Sequence, residues 1–263
     1  MNIRPLYKNI FFIALFPNIV WAEVPLADPC AGLFAILNRP TVADSACSVK
    51  PGEVMIEMGT QYKKLYPNEG HEYNYPEALL RFGFLDGNEF NVLTPNYIQQ
   101  QHASGFTATT LGFKHQFVPI GPLVYTAESL ITPPSGDNNF GSEGLGVAVN
   151  GIISYDFTPA TSVTVMLGYS SQTTAFNEGG ARYNSFNPDI VFSWQPTQYL
   201  QLYAEVYGQT QSGPLQSDGY NADAGIQYLF TENIEVDLEY GQRLSGQLGG
   251  FSHYFGAGGA VSF

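Results

Sequence analysis

From Glu53 to Phe263 apolar and polar residues alternate with a period of two, not 3.6. Val54, Ile56, Met58, Thr60 and Tyr62 alternate with Glu53, Met55, Glu57, Gly59 and Gln61. The same beat separates Val163, Val165, Leu167 and Tyr169 from Thr164, Met166, Gly168 and Ser170, and Ile234, Val236, Leu238 and Tyr240 from Glu235, Asp237, Glu239 and Gly241. Successive side chains of a strand point to opposite faces, so each segment has one oily and one polar face. Twelve segments follow the pattern: 53–66, 73–85, 89–100, 105–117, 123–132, 145–157, 163–173, 183–194, 199–209, 220–229, 234–243 and 253–263. Most exceed the about 5–6 residues usual in soluble strands and suit a tilted membrane strand of roughly 9–11 residues with overhang.

The connections carry a second signal. Tight links at Asp86-Gly87-Asn88, 118–122, 158–162, 195–198 and 230–233 largely alternate with longer ones at 67–72, 133–144, 174–182, 210–219 and 244–252. The exception is 101–104, which is short where a long link is due. Phe84, Phe90, Phe117, Phe157, Trp194, Tyr228 and Phe263 share the apolar parity and the tight-turn end, as an interfacial aromatic girdle does. The expected fold is all-β: a transmembrane antiparallel up-and-down β-barrel of about twelve strands over residues 53–263, in a bacterial outer membrane, with both termini on the periplasmic side.

The start of the chain fits export to that location. Arg4 and Lys8 precede the apolar run Ile10–Phe16, and Val20 and Ala22 stand at −3 and −1 of a small-residue cleavage site, so residues 1–22 read as a signal peptide. Residues 23–52 form a separate periplasmic segment. Asp28 and Pro29 suggest the start of a short helix over 31–37, ended by Pro40. A small plug in the barrel mouth and a flexible leader are both open readings of it. Cys30 and Cys47 are the only cysteines; in an oxidising periplasm they point to a disulfide.

Charge narrows the partners. The chain carries −13, and cleavage after Ala22 removes two positive charges and no acid, leaving −15. That argues against nucleic acid, which wants a basic surface. Parity places most charge in the lumen: Glu53, Glu57, Glu77, Glu89, Glu128, Asp156, Asp189, Glu205, Asp223, Glu235, Asp237 and Glu239, with Arg81, Lys114 and Arg243. Lysine or arginine on the lipid face costs about 2–4 kcal/mol at mid-bilayer, so a barrel nearly forces this assignment. His115 takes the lipid-facing parity near the rim. Two lumens fit: a braced polar core in which the three bases pair with acids, or a water-filled path that repels anions.

Several stretches resemble a family of outer-membrane transporters associated with the meta-pathway of phenol degradation: Glu77–Leu85 (EALLRFGFL), Asp86–Phe90 (DGNEF), Leu111–His115 (LGFKH), Leu130–Gly136 (LITPPSG), Tyr203–Tyr207 (YAEVY), Asp223–Tyr228 (DAGIQY), Asn233–Asp237 (NIEVD) and Tyr254–Phe263. The resemblance implies a barrel moving small, often aromatic, compounds, with no catalytic residues. The closing run, with Phe255, Val261 and Phe263 on one face, also resembles the terminal strand that barrel-assembly machinery reads. The expected function is therefore a porin-like channel for small, hydrophobic or aromatic solutes, with lipid and the assembly machinery as partners. The alternative is a closed structural or surface-interaction barrel. A rim enzyme is disfavoured: His102-Ala103-Ser104 has a phospholipase-like spacing in the wrong context, and Asp137, Asp218, His71 and His253 are merely scattered acids and imidazoles in outer loops. No cofactor or metal spacing stands out.

Overall fold

Strand pairing runs once around the molecule and closes on itself. The computed structural model describes residues 28–263, so the export signal expected over 1–22 lies outside the described residues. The strands are β1 (Val54–Leu65), β2 (His71–Leu85), β3 (Asn88–Leu93), β4 (Tyr97–Gln100), β5 (Ser104–Phe106), β6 (Thr110–Gln116), β7 (Leu123–Thr132), β8 (Gly146–Thr158), β9 (Thr161–Thr173), β10 (Arg182–Thr197), β11 (Leu200–Gln209), β12 (Gly219–Thr231), β13 (Ile234–Ser245) and β14 (Phe251–Ser262). All pairings are antiparallel, and β14 returns to β1 from Met55 opposite Ser262 to Leu65 opposite Phe251. β3 and β4 are two halves of one stave, as are β5 and β6, so the 14 strands form a closed barrel of twelve staves.

The two broken staves have a local cause. Pro95 lacks an N–H and interrupts the ladder between β3 and β4. Across the gap Asn96 N donates to Thr107 Oγ1 at 2.9 Å and Thr107 N to Asn96 O at 2.9 Å. The 133–145 loop then covers the free edge of β5: Phe106 N donates to Asp137 Oδ2 at 2.6 Å and Asp137 N to Phe106 O at 2.8 Å. The short link at 101–103 is thus the tip of a separate β4–β5 hairpin.

The expected girdle residues Phe84, Phe90, Phe117, Phe157, Trp194, Tyr228 and Phe263 are all exposed on the outer face. Phe84 stacks on Phe90 at 4.6 Å, and Phe117 on Tyr125 at 5.1 Å. Several strands run longer than the alternation predicts; β14 begins at Phe251, which shortens the last outer loop. The tight turn at Asp86-Gly87 needs its glycine: φ is +69° there, and a Cβ would strike the Gln116 carbonyl.

The helix expected over 31–37 is shorter, α1 (Leu33–Ile36). Asp28 does not cap it. Its Oδ1 accepts from Cys30 N at 3.0 Å and its carbonyl from Ala31 N at 2.9 Å, closing a turn before the helix instead. Cys30 and Cys47 are joined by a disulfide. The apolar side of this segment does not seek a separate core. Leu33, Ile36, Leu37, Ala43 and Val49 pack with Met55, Val124, Ile152, Val191 and Ala260, which are inward residues of the barrel itself.

Candidate functional site

The inner face divides into two walls. On β1, β2, β3 and β6, charges are paired. Arg81 and Glu89 are fully buried and meet in a two-pronged contact, Nε to Oε1 at 2.7 Å and Nη2 to Oε2 at 2.9 Å. Arg81 Nη1 reaches Glu57 Oε1 at 2.9 Å. Such forked, charge-assisted contacts are the strong kind. The remaining donors go to the N-terminal segment: Arg81 to the carbonyls of Ile36 and Cys47, and Lys114 Nζ to Ser45 O at 3.1 Å. The carboxylates take the segment's amides. Glu57 accepts from Arg39 N at 2.7 Å, and Glu89 from Val49 N at 2.8 Å. Gln116 Oε1 likewise accepts from Ser48 N at 2.7 Å, while the Thr126 hydroxyl donates to the Ala46 carbonyl.

The segment then crosses to the far wall. Arg39 Nη2 meets Asp237 Oδ1 at 3.1 Å and its Nη1 meets Glu77 Oε2 at 3.4 Å. Burial opposes the Arg39 charge, but Asp237 and Glu77 outweigh it and raise the guanidinium pKa. Glu205 accepts from Val42 N and Ala43 N, the latter at 2.8 Å, and Gln227 donates to Arg39 O at 2.9 Å. Irregular backbone inside a barrel needs partners for its polar groups, and inward side chains from opposite walls supply them. Burial pushes the Asp44 carboxyl well up, and nearby Glu128 adds to it; Asn38 Nδ2 donates to Asp44 Oδ1.

The wall of β10 to β13 is acidic with few partners. Asp189, Glu205, Asp223, Glu235, Asp237 and Glu239 are all buried on the inner face. Tyr254 donates to Asp223 at 2.9 Å, and Gln61 to Glu239 at 3.1 Å. Both carboxylate oxygens of Asp189 and of Glu235 are buried without a partner among the described residues. On β7, which borders the paired wall, Glu128 accepts from the amides of Asn91 at 3.0 Å and Asn150 at 2.9 Å. A cavity of about 440 Å³ separates the segment from β8–β12 near the tight-turn end; Asp156, Leu33, Phe34, Ser193 and Gln201 line it.

Arg243 departs from the pairing expected of a braced core. At the outer end of β13 its guanidinium lies 3.6 Å over the Tyr66 ring and donates to Gly246 O at 2.9 Å, with no acid partner among the described residues. Parity also missed two inward groups. Glu72 is one: Tyr75 and Pro76 together oppose the single residue Thr60 and reverse the facing of β2 above that point, which turns Glu72 inward to Lys63 at 3.1 Å; Lys63 itself keeps the inward parity of Glu57 and Gln61. Arg39 lies in irregular chain, where no period applies. His115 faces outward beside Phe117 and Asn88. Phe255 and Phe263 are exposed on the outside and Val261 is partly buried on β14. His102 lies in the β4–β5 hairpin, and His71 contacts Tyr62 rather than an acid.

A family model described as "Putative MetA-pathway of phenol degradation" matches residues 37–258. Among solved structures, the chain is similar to the COG4313 outer membrane channel from Pseudomonas putida F1, with 10% identity, a TM-score of 0.65 and coverage of 85% of this chain and 100% of that one. It is also similar to KdgM porin, at 13% identity, TM-score 0.55 and coverage of 80% and 99%. NanC porin is similar at 11% identity, TM-score 0.55 and coverage of 79% and 98%. At these identities the likeness is one of fold. No curated protein matches the chain by sequence.

Proposed function

The chain belongs to this phenol-degradation family, and from that premise we propose that it is an outer-membrane channel through which small solutes pass passively, past the N-terminal segment and along an acidic wall. One observation carries the reading. The cations Arg39, Arg81 and Lys114 are all engaged at the N-terminal segment, whereas the buried carboxylates of Asp189 and Glu235 have no partner among the described residues. Such a wall repels anions and favours neutral or cationic solutes. Leu79, Leu93 and Leu130 stand on the inward parity above the paired charges, and Leu93 is 38% exposed there. This apolar patch, together with the family's description, favours small hydrophobic or aromatic solutes. The role is passive and non-enzymatic. Phe255, Val261 and Phe263 carry the assembly signal.

The full exported chain in planar bilayers should pass current with cations preferred over anions, and in liposomes should admit small phenols. An inserted barrel that passes neither ions nor phenols would overturn the proposal. That outcome would favour the second reading, a closed structural barrel, for which the fully buried Arg81–Glu57–Glu89 cluster speaks.

A further inference from the structure

Among the described residues the strands carry few outward charges, and basic side chains gather at one place. Lys64 on β1 lies opposite His71 on β2 and opposite His253 on β14, so three basic side chains stand abreast on adjacent strands. Lys64 shares the outward parity of Tyr62, and its neighbour Lys63 turns inward to Glu72. Lys64 has no ion pair among the described residues, and Glu69 in the adjoining turn makes none with it. Arg182, the other outward cation of the upper rim, is already committed to Ser171 Oγ at 3.0 Å and Leu145 O at 2.8 Å.

The height of this row matters. It stands ten residues above Val54, which at roughly 3.3 Å per residue and a tilt near 40° is about 25 Å, the height of the apolar band. Below the row lies an aromatic shelf. Tyr62 stacks with His71 at 5.1 Å and packs on Tyr73 at 5.2 Å, and Tyr240 packs on Phe255 at 5.0 Å. The Tyr62 hydroxyl engages His71 Nδ1, which leaves Nε2 as the free ring nitrogen. His253 sits between Tyr240 and Phe255, at 6.3 and 6.2 Å.

We propose that Lys64, His71 and His253 form a binding site for the phosphorylated headgroup of an outer-leaflet lipid. Lysine is a point charge suited to phosphate, and imidazole N–H groups add directed donors. The aromatic shelf below would lie along the upper acyl chains. Charge complementarity selects the occupant: on a mature chain of −15 this is, among the described residues, the outward row of basic side chains that attracts an anionic headgroup.

Native mass spectrometry of the full exported chain in uncharged detergent tests this with two probes, diphosphorylated lipid A and the same lipid stripped of phosphate. The wild type should retain the phosphorylated lipid and release the stripped one. Lys64→Gln/His71→Gln/His253→Gln should weaken retention by about tenfold or more, equivalent to about 1.4 kcal/mol. Lys64→Arg should retain it, and Lys50→Gln should change nothing. Equal retention of the two lipids by the wild type overturns the proposal, whether or not the triple variant inserts. So does full retention by an inserted triple variant, or displacement of the lipid by millimolar inorganic phosphate, which would mark a site for free anions.

Discussion

The two walls of the lumen both bury acids but treat them in opposite ways. On β1, β2 and β3, Glu57 and Glu89 share Arg81 and accept amides from the N-terminal segment. On β10 to β13, among the described residues, the buried carboxylates of Asp189 and Glu235 have no partner, and Glu205 accepts from two backbone amides. A carboxylate removed from water without a partner costs several kcal/mol, whereas one facing water costs little. The paired wall therefore behaves as protein interior and anchors the segment. The unpaired wall is stable as a charged surface only if water or solute reaches it. Both walls hold the segment, through Glu57 and Glu89 on one side and Glu205 and Asp237 on the other, and on the proposed reading the unpaired acids line the solute path.

The comparison breaks most sharply at Arg81. Arg81→Met leaves Glu57 buried without a cation and Glu89 with only Lys114, 3.9 Å away, and the expected loss is about 3–5 kcal/mol, read as a lower urea midpoint of the detergent-solubilised barrel. Adding Glu89→Gln should restore part of it. Asp189→Asn on the other wall should leave the midpoint unchanged or raise it. If the two single variants shift it equally, the division between walls is wrong. Next in size is the disulfide. Cys47→Ser frees a loop with a sequence separation of 17, which the chain-entropy account values at about 3 kcal/mol. The measurable result is faster proteolysis within residues 28–50 and noisier, larger single-channel current.

How much of this was legible in the sequence depends on the regularity of the backbone. Glu57, Arg81, Glu89, Lys114 and Glu205 sit within strands in clean alternation, so period two alone locates their faces. Pro95 and Pro76 each sit inside a strand pattern, and each marks a place where the ladder breaks or the facing reverses. Pro76 is the signal that could have located Glu72. The disulfide followed from compartment and cysteine count. The path of residues 28–50 did not follow from anything local. Its contacts join Arg39 to Asp237 and Val42 to Glu205, positions far apart in sequence, and only barrel closure brings them together. Alternation gives the inward parity of Arg243 but not its partner, since a base at a strand end has a further option besides an acid or water, an aromatic ring.

A smaller effect sharpens the comparison on the conducting side. Neutralising Asp189, Asp223 and Glu235 as Asn, Asn and Gln should reduce cation-over-anion preference while leaving insertion intact, measured as a reversal potential in a salt gradient. Neutralising Glu57 and Glu89 instead should loosen the segment and enlarge the current before it alters selectivity.

The smallest effect concerns Asp44, which belongs to the segment rather than to a strand. Burial and Glu128 raise its pKa while the segment is seated, and in a segment released to water it returns to the ordinary carboxylate range. Below that range both states hold the proton and Asp44 is neutral to seating. As pH rises the released state loses its proton first, so seating weakens progressively until the seated carboxyl also ionises. Open-like current fluctuations should therefore be more frequent at pH 8 than at pH 5. Asp44→Asn keeps an acceptor for Asn38 and cannot ionise, so the difference between wild type and variant isolates this one group from the acids of the barrel. The variant should show fewer fluctuations than wild type at pH 8 and match it at the acidic end. A variant whose pH response equals that of the wild type would show that Asp44 is as well hydrated when seated as when free.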